Sequence, residues 1–282
     1  MHITVVRVIM IPAPTNQSKV VNFMNKFFNG YNLKIIAIIG MILQHTAIIL
    51  EELIPFALQI PMHFAGGLTF PIMAFFLVEG YKHTSNVKKY LGRIFLFAVI
   101  SQIPYLWAYQ APSVFYTLNI MFILFLGLLM IHLHETMHSR GLFWFLFSVF
   151  LLISITMEWG IIGFLMILMY KVISKEKSRR FWPSFLSTLT HTILGLIGMG
   201  AAAIIAPFID EIPEFAELAE LGLDFSVQTF SLVVLFGLGS FFAIFFLQKY
   251  NGARGKNMKY LFYIIYPLHF IILGLLLRLT NL

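Results

Sequence analysis

An all-α, polytopic membrane bundle of about nine transmembrane helices, N-terminus inside and C-terminus outside, is the fold class this sequence predicts. Three observations predict it. The 282 residues are 60% hydrophobic and only 11% charged, whereas a soluble domain carries about 25% charged residues. The apolar runs are continuous instead of alternating, which excludes a β-barrel. The charges also segregate by loop. With the N-terminus inside, 18 of the 19 basic residues fall on one side of the membrane and only Arg278 falls on the other. That bias orients the chain. It also accounts for the net charge of +7 without nucleic acid as a partner. The chain has no cysteine, which excludes disulfides, thiolate metal sites and a cysteine nucleophile.

Residues 1–32 read as an N-terminal cytoplasmic or interfacial segment, and 33–282 as the transmembrane domain. The opening VVRVIMIPA is a short apolar run broken by Pro12 and Pro14, and Met24 is an alternative start. KVVNFMNKFFNGYN reads as an amphipathic surface helix with Lys19 and Lys26 toward water. Nine spans follow, at about 33–50, 63–80, 90–108, 114–133, 142–157, 159–174, 184–207, 226–248 and 258–278, each near or above the roughly 17 residues a span needs. The fifth and sixth form one apolar run interrupted by Glu158-Trp159-Gly160, read as a tight hairpin. A single tilted helix there would place the basic residues of 171–180 outside, against the charge rule. The acidic stretch 207–225 puts Phe215, Leu218 and Leu221 on one helical face and Glu214, Glu217 and Glu220 on another, an outer interfacial helix.

Polar groups inside such spans cost several kcal/mol unless partnered, so each is a candidate functional residue. His45 lies eleven residues past Lys34, about 16 Å into the first span, and His269 lies ten residues past Lys259, about 15 Å into the ninth. Both spans run outward, so the two histidines share one depth near the midplane, and Ser101 and Gln102 of the third span reach it too. A neutral buried imidazole is a proton acceptor. His191 lies in a small-residue span (Gly195, Gly198, Gly200, Ala201–Ala203) that reads as close helix packing. His132, His134 and His138 read as a solvated loop with spacing poor for a metal, and no metal cofactor is expected. Glu79, at the inner end of the second span, is expected to hold His83 or Arg93, or to orient a catalytic group. Lys88, Lys89 and Arg93 are either positive-inside anchors or a clamp for a phosphorylated cytosolic ligand. Gly66, Gly67 and Pro71 make the second span irregular, as where backbone lines a cavity.

The runs LKIIAIIGMILQHTAII, FPIMAFFLVEGYKHTSNVKKYLGRIFLFAVISQIPY, LNIMFILFLGLL, EWGIIGFLMILMY and KYLFYIIYPLHFIIL resemble, in order and spacing, the TraX family of integral membrane proteins, from about residue 33 to 277. The resemblance implies an acyltransferase of the bacterial inner membrane, similar in plan to the wider transmembrane acyltransferases. Such a protein takes an acetyl or acyl group from cytosolic acyl-CoA to a membrane or extracytoplasmic acceptor. The family is known for acetylating a conjugative pilin at its N-terminal amine; a peptide, glycan or lipid headgroup would serve equally. The family's Asp-His pair falls here on Gln44 and His45, and its Gly-Arg on Gly66 and Gly67. Its Asp-Tyr-Gly-like turn reads Glu158-Trp159-Gly160. With no carboxylate beside His45, another group, Gln44 or Glu79, is expected to set its tautomer. His45, Gln44, Glu79 and His269 are therefore the candidate catalytic residues. Arg93, Lys88, Lys89, His83, Tyr90, Ser101, Gln102, Asn119 and Tyr266 are the candidates for holding acyl-CoA, with Ser101, Gln102 or Asn119 donating to the thioester oxygen. The reading from another class is a transporter, export or assembly protein with no chemistry, its midplane histidines relaying protons.

Overall fold

The computed structural model describes residues 27–111, 117–205, 226–257 and 260–280. Residues 19–26 of the expected N-terminal surface helix lie outside them, as does the acidic outer segment 207–225.

Ten helices account for the nine expected spans. They are α1 (Gly30–Ile49), α2 (Phe56–Gly67), α3 (Thr69–His83), α4 (Val87–Ala108), α5 (Ile120–Thr136), α6 (Arg140–Ser154), α7 (Gly160–Val172), α8 (Glu176–Ile205), α9 (Val227–Lys249) and α10 (Leu261–Leu279). The α2–α3 pair is one span interrupted at Leu68. Six of the nine are long and apolar enough to cross a bilayer; α5, α6 and α7 are shorter, at 17, 15 and 13 residues. Polar side chains start the helices where lipid offers no donors or acceptors. Asn29, Asn86, Asn119, Ser139 and Ser226 each accept a hydrogen bond from a first-turn backbone N–H.

The hairpin at Glu158-Trp159-Gly160 is present, with α6 and α7 on either side of it. The second span begins seven residues earlier than its apolar run suggested. Pro55 stands at its N-cap, and Gln59 Nε2 donates to the carbonyls of Glu51 and Ile54, which ties the preceding 3₁₀ turn (Glu51–Leu53) to the helix. Pro61 sits inside that helix rather than before it. His132 and His134 are on the last turns of α5, not in a loop; only His138 is between helices.

α3 is the centre of the bundle. Phe70, Ile72, Ala74, Phe75 and Val78 are fully buried, and the helix packs on α1, α5, α7, α8 and α9. A helix that is apolar all round is one that other helices surround. The glycines of the second span do not line a cavity. A Cβ on Gly67 would collide with the Phe236 carbonyl and the Gly239 backbone, and one on Gly239 with the Phe64 carbonyl. The backbones of α2 and α9 therefore touch, and Ser240 Oγ donates to the Gly67 carbonyl at 3.0 Å, which is small-residue packing of the membrane type. Gly195 and Gly198 of α8 receive Val234 and Phe230 of α9 in the same way.

Helix ends that the charge rule places together do meet. The last turn of α3 (Glu79, Tyr81) touches the first turn of α8 (Arg179) and the end of α5 (Glu135), which pairs with Lys171 of α7. Arg180 donates to the carbonyls of Leu247 and Tyr250, just past α9. Arg278, the exception in sequence, is at the far end, stacked over Trp107 at 4.1 Å. Replacing Gly239 by valine is expected to cost about 1–3 kcal/mol by overpacking a backbone contact. Thermal unfolding of the detergent-purified protein would show a clear loss of Tm, whereas Gly200→Ala, where nothing lies within 4 Å of the added carbon, would show none.

Candidate functional site

The two midplane histidines are in contact. His45 Nδ1 lies 2.7 Å from His269 Nε2, with the ring planes 15° apart. Phe270 packs on both rings and Tyr109 approaches His45 edge-on. The bonds around the pair assign donor and acceptor. His269 Nδ1 lies 3.1 Å from the Ile265 carbonyl, which only accepts, so this nitrogen carries the proton. Its Nε2 is then the acceptor, and His45 Nδ1 must donate to it. The other ring nitrogen of His45, Nε2, lies outside the pair.

That nitrogen faces a carboxylate absent from the sequence-derived candidates. Glu158 Oε1 is 3.7 Å from His45 Nε2. Its other oxygen accepts from the Ile120 backbone N–H at 2.7 Å and from the Tyr266 hydroxyl at 3.4 Å. Ile120 is the first residue of α5, so the positive end of that helix points at the carboxylate. The turn is built to deliver it. Leu118 N–H donates to Thr156 O and Glu158 N–H to Leu118 O, a single bridge between the entries to α5 and α7. Trp159 is in the left-handed region, φ 67°, which costs a non-glycine residue of order 1 kcal/mol or more. Its ring is held by stacking on Phe70 at 4.3 Å and by edge contacts with His191 and Phe236. The sequence signal for Glu158 was a carboxylate breaking an apolar run, and it had been spent on the hairpin.

Gln102 and Asn119 reach this level but serve as scaffold. Both protons of the Asn119 amide are taken, one by the Ala98 carbonyl and one by Gln102 Oε1, each at 2.8 Å. Gln102 Nε2 donates to Thr117 O. Asn119 therefore has no proton left for an oxyanion. Ser101 is fully buried, and among the described residues its hydroxyl is the one buried side-chain polar atom with no partner. Gln44, beside His45 in sequence, lies against Gly66 on α2. His191 donates from Nδ1 to Ser187 O, a helix-internal bond.

The remaining candidates gather at the basic end. Glu79 is bound by Arg179 at 2.7 Å and Lys82 at 3.1 Å. It pairs with neither His83 nor Arg93 and does not orient His45. The partner lies 100 residues away, beyond what local spacing reveals. Arg179 is buried over the Phe75 ring and also holds Glu176. Arg93 Nε donates to the Tyr263 hydroxyl at 3.4 Å and its guanidinium lies over Tyr90. Lys88, Lys89 and His83 are exposed. Arg93 precedes Gln102 by nine residues on α4, about 13 Å of helix, so the cationic rim and the level of Gln102 lie at two depths along that helix. Replacing His269 by leucine would orphan the His45 Nδ1–H inside the bundle and cost about 1–3 kcal/mol. Glutamine, whose carbonyl accepts, would recover part of that loss in a thermal unfolding series.

The model of the family described as TraX protein matches residues 29–277. The "Probable fimbrial assembly protein FimC, serogroup H1" of Dichelobacter nodosus is 28% identical over 256 residues, 87% of this chain and 94% of that protein. No solved structure matches. With nearly nine-tenths of its length under one family model, and His45, Glu158 and His269 all inside that match, the chain belongs to the TraX family and is a multi-pass helical membrane protein.

Proposed function

We propose that this protein is an acyl-CoA-dependent acyltransferase in which His45 is the general base. The observation that carries the reading is the His269–His45–Glu158 array: an imidazole with its tautomer locked from behind and its free nitrogen presented to a carboxylate. A purely structural histidine needs one satisfied bond; here His269 holds the nitrogen behind the base, the place the third member of a catalytic triad takes, and Glu158 lies on the Nε2 side itself.

In the reaction, the acceptor amine or hydroxyl attacks the thioester carbonyl of acyl-CoA. His45 Nε2 takes the proton that the nucleophile loses. The tetrahedral intermediate collapses, the C–S bond breaks, and the imidazolium returns the proton to the departing CoA sulfur. Glu158 is the positioning residue. Its carboxylate faces the positive charge that forms on His45, and the start of α5 and the Tyr266 hydroxyl hold it in place. Ser101 is the donor available to the thioester oxygen. Arg93, with Lys88 or Lys89, meets the phosphates at the basic end, and the narrow arm of the cofactor carries the thioester inward along α4. The name of the relative above, a fimbrial assembly protein, supports a pilin terminus or a similar extracytoplasmic group as the acceptor. The protein would then sit in the bacterial inner membrane, where acyl-CoA and exported subunits meet.

Detergent-purified protein should bind acetyl-CoA and lose its thioester slowly. His45→Ala should abolish that loss with binding intact, and Arg93→Ala should weaken binding. Glu158→Gln should lower turnover about 10²-fold or more at unchanged KM, the mark of an interaction made only in the transition state, with Glu158→Asp restoring part of it. Unimpaired acyl transfer by His45→Ala would remove the assignment, and absence of any acyl-CoA binding would leave a role in pilus assembly without chemistry.

A further inference from the structure

At the basic end, three cations gather at one corner, and one of them, Arg254, donates from Nη2 to Asn257 Oδ1 at 3.2 Å and keeps its other donors. The loop between α9 and α10 folds back onto the start of α1. Asn251 N–H donates to the Phe28 carbonyl at 3.0 Å and Gly30 N–H to the Ala253 carbonyl at 2.8 Å. Gly252 and Gly255 have φ of 79° and 70°, and Gly255 packs on Asn29 and Tyr31, so the backbone between them is held where it lies. A Cβ on Gly30 would meet both the Arg254 carbonyl and the Phe76 ring, each at 3.2 Å, so Arg254 reaches the same corner as Lys34. Lys34 is half-buried with its ammonium over the Phe76 ring at 4.9 Å, and Lys256 lies over Tyr31 at 5.9 Å.

Among the described residues, no carboxylate pairs with them. The stretches that build the corner, 1–50 and 225–282, contain no Asp or Glu at all. The carboxylates described at this end are committed elsewhere: Glu79 to Arg179 and Lys82, Glu135 to Lys171, Glu176 to Arg179 and Arg180. Positive-inside anchors normally spread along a membrane edge and snorkel freely. Here a half-buried lysine is pinned under an aromatic ring beside an arginine on a fixed loop, and such like-charge crowding is relieved by an anion.

We propose that Lys34, Arg254 and Lys256 form a phosphate-binding corner. A guanidinium fork with two ammonium groups offers donors from several directions, which suits the oxygens of a tetrahedral phosphate ester better than the two oxygens of a carboxylate. The corner is separate from Arg93, which bonds Tyr263 on the first turn of α10; the two flank the start of that helix. The ester belongs either to the nucleotide end of acyl-CoA, an assignment that rests on the acyl-transfer reading, or to an anionic lipid headgroup, which does not.

The test uses the full chain in detergent, wild type beside Arg254→Gln/Lys256→Gln, both exposed positions that leave the bundle intact, with Lys175→Gln as the control. Acetyl-CoA binding is measured by titration calorimetry and phosphatidylglycerol retention by native mass spectrometry. A tenfold or greater weakening of acetyl-CoA binding in the double variant alone assigns the corner to the nucleotide. Loss of retained phosphatidylglycerol in the double variant alone assigns it to lipid, and does so even if wild type binds no acetyl-CoA and the acyl-transfer reading fails. If the double variant and the control behave as wild type in both measurements, or if wild type binds neither probe, the phosphate corner is overturned.

Discussion

A carboxylate inside a helix bundle has to be given its solvation by the protein, and the arrangement around Glu158 depends on that requirement. Its two oxygens divide the work. One takes the Ile120 N–H and the Tyr266 hydroxyl; the other is left toward His45. Supplying the first pair fixes where α5 begins, because only a helix start has an N–H without an intrahelical partner. It also fixes the level of Tyr266 on α10, and so of His269 one turn further on. The Leu118–Met157 bridge and the left-handed Trp159 follow from the same need. Together they hold the entries to α5 and α7 side by side within the bundle.

Most of the architecture was legible in the sequence, because in a membrane the rules are few. Apolar run length marked the spans, and the alternation of basic and acidic loops ordered them; the Glu158-Trp159-Gly160 break was a hairpin on that ground alone. The depth argument brought His45 and His269 together across 224 residues, since two helices running the same way from a common plane keep the same ruler. What depth cannot provide is azimuth. Glu79 and Arg179 share a level at the basic end, but nothing in local spacing says that α8 stands beside α3. Asn119 reads as a free donor until the position of Ala98 and Gln102 is known. Glu158 was hidden for a different reason: one residue carried two signals, turn and charge, and the turn explained its presence.

The molecule divides its electrostatics between its ends. The basic end spends its carboxylates on ion pairs that knit α3, α5, α7 and α8 into one rim. These are joints between helices, not a catalytic group. The interior site uses a single carboxylate, two imidazoles and hydroxyls, and is framed by aromatic rings that keep water out. Charge inside the bundle is thus scarce, as expected where each polar group must justify its own desolvation.

The three short helices have a consequence for the lipid around them. At 1.5 Å per residue α5, α6 and α7 span about 25, 22 and 20 Å, against a hydrocarbon core of about 30 Å. Acyl chains beside them must compress, because exposed Leu142, Trp144, Phe145 and Leu152 on α6 match apolar tails and not headgroups. Mismatch of this kind costs a fraction of a kcal/mol per Å and is met by local thinning. The protein therefore carries its own dimple in the leaflet above Glu158. Headgroups dip toward Glu158 on that flank, and the hydrocarbon there is thinner than beside the longer helices.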